Sequence, residues 1–119
     1  MDINTIFITS HYRAARWHPG GIKEWSALEW AGAMCGEAGE AANAAKKLKR
    51  LEGHIASINE GDRNFTDEQR AQSQVIKECC DTILYALLTM ARAGCTDPED
   101  ALRQVFNQKS IEYGFPERI

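Results

Sequence analysis

Apolar residues recur three and four positions apart along most of this chain, and no stretch alternates apolar with polar residues between turn signals. That period commits the chain to helices and leaves no candidate strand, so the expected fold class is all-α. Two breaks interrupt the pattern. His18-Pro19-Gly20-Gly21 ends a first short helix with the stripe Ile3, Ile6, Phe7, Ala14 and Trp17, because proline and paired glycines do not continue a helix. From Glu52 to Phe65 the period fades among Gly53, Ser57, Asn59, Gly61, Asp62 and Asn64. A loop is expected there, long for so small a domain, serving either as a lid or as a plain connection.

The proline-free stretch at about 23–51 is rich in Ala, Glu, Lys and Leu, which predicts a long helix despite Gly32, Gly36 and Gly39. Those glycines admit two compatible explanations: close approach of a neighbouring helix, or room for a ligand. Thr66-Asp67-Glu68-Gln69 reads as a capping-box start for a third helix ending near Ala93, with Gly94 as its stop. Asp97-Pro98 opens a fourth helix with Ala101, Leu102, Val105 and Phe106 on its apolar face, closed by Gly114 and Pro116. The expectation is one domain over 1–119, a bundle of about four helices with enough apolar faces left over to associate with copies of itself.

A net charge of -3 lacks the basic footprint of a protein that binds duplex nucleic acid. The start, Met1-Asp2-Ile3, is acidic, and no run of about 18 apolar residues occurs, so a cytoplasmic protein without a membrane partner is expected. Cys35, Cys79, Cys80 and Cys95 show no Cys-x-x-Cys spacing and are expected to be reduced and mostly buried.

The chemistry concentrates in two acidic pairs. From Trp30 to Ala45 the only charged residues are Glu37 and Glu40, three apart on one helical face. Glu78 and Asp81 repeat the spacing in the next long helix, with apolar residues on both flanks, so this stripe should face protein. Taking like charges out of water costs several kcal/mol apiece, roughly, unless protons or cations compensate. One pair alone would read as ordinary helix-surface ion pairing; two pairs on two apolar helices point to a divalent cation. Carboxylate oxygens with no Cys or His in register suit Mg²⁺, with Mn²⁺ possible. A di-iron bundle wants Glu-x-x-His, and none of the three histidines follows a glutamate at that spacing. Magnesium held by carboxylates is the usual partner of phosphates, which makes phosphoryl chemistry on a nucleotide the leading expectation.

Glu37-Ala38-Gly39-Glu40 and Glu78-Cys79-Cys80-Asp81 resemble the paired signature of the MazG-like all-α nucleoside triphosphate pyrophosphohydrolases. Gly36 to Ala41 is similar to that family's Gly-Glu-x-Gly-Glu segment, and Phe106 to Ser110 with Gly114-Phe115-Pro116 to its closing helix. The resemblance covers roughly Ala27 to the C-terminus outside the loop. It implies magnesium-dependent hydrolysis of a nucleoside triphosphate to the monophosphate and pyrophosphate. Glu37, Glu40, Glu78 and Asp81 would hold the metal, and one of them would activate water. It also implies a homo-oligomer, a tetramer before a dimer. The family's last-helix phosphate pattern, Lys-x-x-x-Asn-x-x-Arg, corresponds here to Arg103, Asn107 and Ser110; serine departs from it, and Lys109 is the candidate substitute.

Lys47, two turns beyond Glu40 on the same face, could reach a polyphosphate, although 46–50 also read as a solvated basic helix end. Trp17 and His18 are candidates for a base pocket. Two rival functions stand beside the enzyme. One is a helical interaction module whose acids bind a basic partner, and the other is a nucleotide-binding regulator with a degenerate site.

Overall fold

The computed structural model describes residues 1–56 and 65–119, and every regular element among them is helical. In chain order these are α1 (Ile3–Trp17), a 3₁₀ turn (Gly21–Glu24), α2 (Ala27–Ala56), α3 (Phe65–Arg92) and α4 (Pro98–Tyr113). The all-α expectation therefore stands. No described helix is long and apolar enough to cross a membrane.

The helix ends follow local chemistry. Asp2 caps α1 by accepting the Thr5 N–H at 2.8 Å, and Asp97 caps α4 by accepting that of Asp100 at 3.0 Å, with Pro98 as the first helical residue. α2 starts later than the expected residue 23. Gly21–Glu24 forms the 3₁₀ turn, and a capping box at Ser26 and Glu29 sets the start of the α-helix. The Ser26 N–H donates to Glu29 Oε2 at 2.7 Å and the Glu29 N–H to Ser26 Oγ at 3.1 Å. At its other end α2 continues to Ala56, so the first part of the expected loop is helix. The rest of that loop, 57–64, lies outside the described residues. Thr66 sits within the first turn of α3 and does not precede it.

Glycine closes α3 and α4 in the same way. Gly94 (φ +98°) and Gly114 (φ +72°) occupy the left-handed region that a side chain disfavours. After α3, the Gly94 N–H donates to Ala91 and that of Cys95 to Met90; after α4, the Gly114 N–H donates to Ile111 and that of Phe115 to Ser110. Both are Schellman closures, which satisfy carbonyls that a helix end leaves open.

The chain divides into two compact units, Met1–Trp30 with Leu87–Ile119 as the first and Ala31–Ala86 as the second. The first unit has an apolar core: Phe7, Ala14, Trp30, Leu87, Leu88 and Pro98 are buried. Trp30 donates its indole N–H to the Ile22 carbonyl at 2.9 Å, and Trp25 and His18 pack against it at ring-centroid distances of 4.7 and 5.2 Å. Asn4 ties α1 to the start of α4, donating to Asp97 Oδ1 at 3.3 Å and accepting the Glu99 N–H at 3.2 Å. The second unit consists of the remaining length of α2 and α3, and its only buried described residues are Ala44 and Glu78.

Candidate metal centre

In the second unit, α2 and α3 run antiparallel: Lys47 and Asn43 share a cleft with Gln74 and Glu78, and Glu37 meets Glu78 and Asp81. The i, i+3 spacing of each acidic pair puts both members on the face that meets the other helix. Glu37, Glu78 and Asp81 each offer a carboxylate oxygen, and the three atoms lie within 4.8 Å of one another. Glu78 is buried, with only 4% of its surface exposed, while Glu37 and Asp81 are half-buried.

Their hydrogen bonding is incomplete. Glu78 Oε1 accepts from the Gln74 amide at 2.5 Å and from Lys77 Nζ at 3.3 Å. Glu78 Oε2 and Glu37 Oε2 are buried with no hydrogen-bond partner. A buried carboxylate oxygen left unpaired costs on the order of 1–3 kcal/mol or more, so two at one spot would be stabilised by a cation or by hydrogen-bond donors.

Glu40 is exposed and stands outside the three-atom group, but it is electrostatically part of the site. Glu78 lies close enough to hydrogen-bond its protonated form, and this raises the Glu40 pKa above the ordinary 4.5; the charges of Glu37 and Glu78 act in the same direction. Lys77 responds oppositely. Hydrogen bonds first to Asp81 and then to Glu78 hold its ammonium protonated beyond the ordinary lysine range.

The donor set, oxygens only and all from carboxylates, fits a hard divalent cation. The cysteines take no part: Cys79 and Cys80, between the two α3 acids, are exposed, as is Cys35. This corrects the expectation that the cysteines are mostly buried. Cys79 and Cys80 follow Glu78 and precede Asp81, so when those acids turn inward the thiols turn away. At the glycines, a Cβ built on Gly32, Gly36 or Gly39 meets nothing within 4 Å, so among the described residues of this chain the space beside them is open.

The other candidate residues divide between the units. Lys47, exposed, lines the cleft of about 220 Å³ beside Glu40, Asn43 and Glu78. Arg103, Asn107 and Lys109 lie on α4 in the first unit, and the first two are engaged there. Arg103 pairs with Glu99 at 3.1 Å and Asp100 at 3.4 Å. The Asn107 amide donates to the Ile119 carbonyl at 3.1 Å and accepts its N–H at 2.9 Å. Lys109 extends over the Tyr113 ring, 5.9 Å from its centroid.

Trp17 is 65% exposed beneath the Arg13 guanidinium. His18 pairs through Nδ1 with Glu24 at 2.9 Å and packs edge-on against Trp25 and Trp30, within the aromatic cluster of the first unit. Two participants were not among the sequence candidates. Gln74 and Lys77 precede Glu78 and Asp81 by four residues each, and that spacing is the signal by which they were findable. No family model, curated protein or solved structure matches this chain.

Proposed function

We propose that the chain is a MazG-like nucleoside triphosphate pyrophosphohydrolase that works with Mg²⁺, Mn²⁺ being the alternative ion. The observation that carries this reading is the convergence of Glu37, Glu78 and Asp81 with two buried carboxylate oxygens unpartnered. Acids serving a helical interaction module would face water, where a basic partner could reach them; Glu78 does not. Glu37, Glu78 and Asp81 would hold the ion, and Gln74 would fix the Glu78 carboxylate by its amide. A bound magnesium neutralises phosphate charge and acidifies a water ligand.

The reaction joins a water oxygen to the α-phosphorus and breaks that phosphorus's bond to the bridging oxygen, which departs with pyrophosphate. Glu40 is the side chain suited to take the proton from that water. It is exposed, so a water can reach it, and it adjoins Glu78 and Glu37. Lys47, in the cleft beside it, is placed to meet an anion. Exposed Ile76 and Ile83 on α3, and Leu102, Val105 and Phe106 on α4, support association of copies, and the preference for a tetramer over a dimer rests on the family resemblance alone.

The test is pyrophosphate release from a panel of canonical and modified nucleoside triphosphates, with and without Mg²⁺, comparing wild type with Glu37→Gln and Asp81→Asn. Magnesium-dependent release that both variants lose is the expected result. Absence of release from every triphosphate would overturn the enzyme reading in favour of a binding or regulatory module.

A further inference from the structure

The Lys77 ammonium stands where the acids call for a cation. Its Nζ lies 2.7 Å from Asp81 Oδ2 and 3.3 Å from Glu78 Oε1, so it neutralises two of the three converging carboxylates. Its side chain is nevertheless 60% exposed, and a lysine stem is long and flexible enough to swing its charge away. Lys77 cannot keep both contacts when a divalent cation shares those oxygens, because like charges repel and the lone pairs are taken.

The surroundings indicate where the ammonium goes. Arg70, Ser73, Gln74 and Lys77 occupy positions 0, +3, +4 and +7 of one face of α3 and line a groove of about 610 Å³. Gln74 also borders the smaller cleft that contains Glu40, Lys47 and Glu78, so the groove leads to the acids. Arg70 is 79% exposed and 4.0 Å from Asp67, an ion pair at the outer limit of contact. The α4 residues, by contrast, already have partners in Glu99, Asp100 and Ile119.

We propose that Lys77 exchanges partners: it covers Glu78 and Asp81 in the metal-free protein, is displaced when a divalent cation loads, and then binds a polyphosphate anion in the α3 groove beside Arg70. This assignment rests on the reading of the acids as a divalent-cation site. It makes Lys77 a competitor of the metal and an ally of the anion, so a single substitution moves the two affinities in opposite directions.

The experiment is calorimetric titration of Mn²⁺ into wild type, Lys77→Gln, Lys77→Arg, Arg70→Ala, Glu78→Gln and, as a charge control in the first unit, Lys23→Gln. Inorganic tripolyphosphate is then titrated into each protein with Mg²⁺ in excess throughout. Lys77→Gln is expected to bind Mn²⁺ several-fold more tightly and tripolyphosphate about tenfold more weakly, the loss of one charge-assisted hydrogen bond. Arg70→Ala weakens the anion alone, Lys77→Arg keeps its affinity, and Lys23→Gln matches wild type. Unchanged or weaker Mn²⁺ binding by Lys77→Gln, or unchanged tripolyphosphate binding, overturns the exchange while leaving the metal site standing. Wild type that takes up no Mn²⁺, or uptake that Glu78→Gln does not reduce, overturns the metal site and the exchange together.

Discussion

The two units bury different things. In the first, the sequestered side chains are mostly apolar, with Trp30 at 1% exposure and Phe7 and Leu88 at 6%. In the second, the buried described residues are an alanine and a glutamate. Apolar burial stabilises roughly in proportion to area, at about 25 cal/mol per Å², whereas burial of a carboxylate costs free energy until something compensates it. The first unit is thus organised for stability. The second gathers three acids that could hold a metal ion, with Lys77 covering two of them and two buried carboxylate oxygens left unpartnered. Acids of the same type on α4 sharpen the contrast: Glu99 is exposed, Asp100 is half-buried, the two share one arginine, and no unpaired oxygen remains buried there.

The largest effect that would break this comparison is on metal-dependent stability. At a hundredfold excess over its Kd, Mg²⁺ is expected to stabilise wild type by about 2.7 kcal/mol, read as a rise in Tm. Glu78→Gln should abolish that rise, and Glu99→Gln should leave it intact. Equal responses from the two variants would remove the distinction between the acidic clusters.

A smaller effect belongs to the first unit. Ser26→Ala removes the side-chain oxygen that caps α2 and is expected to lower stability by about 1 kcal/mol in denaturant unfolding. Mn²⁺ affinity should not change. If metal binding weakened in step, the start of α2 would be coupled to the acids further along it.

The smallest effect is a pH dependence. Because the folded chain raises the Glu40 pKa, its ionisation penalises folding fully above that raised value, and the penalty disappears as the pH falls to 4.5 and below. Asp2 and Asp97 act with the opposite sign. The backbone N–H groups of Thr5 and Asp100 hold their pKa values below the ordinary 3.8, so the stability they contribute is complete above 3.8 and lost as pH falls through the lowered values. The metal-free protein should therefore reach its highest Tm on the acid side of neutrality. Glu40→Gln or saturating Mg²⁺ should flatten the rise, and a rise that persists in Glu40→Gln would assign it to another group.

Helices are legible from the residues because their period survives in spite of Gly32, Gly36 and Gly39, and the helix stops are legible because Gly94 and Gly114 have one conformational use each. The meeting of Glu37 with Glu78 and Asp81 is legible because an i, i+3 pair on an apolar helix has few places to go. The start of α2 was obscured by the stronger signal before it. The Pro19-Gly20-Gly21 break invites a helix to resume at once, while the box at Ser26 and Glu29 defers it. The engagement of Asn107 with Ile119 depends on a contact twelve residues away, which no local period encodes. The exposure of Cys79 and Cys80 follows from which face Glu78 takes, and the average burial of cysteine carries no information about that.

The cluster of His18, Trp25 and Trp30 has an optical consequence. The chain's three tryptophans are residues 17, 25 and 30, all in the first unit, and the second has none. Indole emission is therefore an observable of the first unit alone, whereas helix ellipticity sums over both. The two signals melt together only when the units unfold as one, so an offset between the curves measures how far the half that holds the acids is free to come apart on its own.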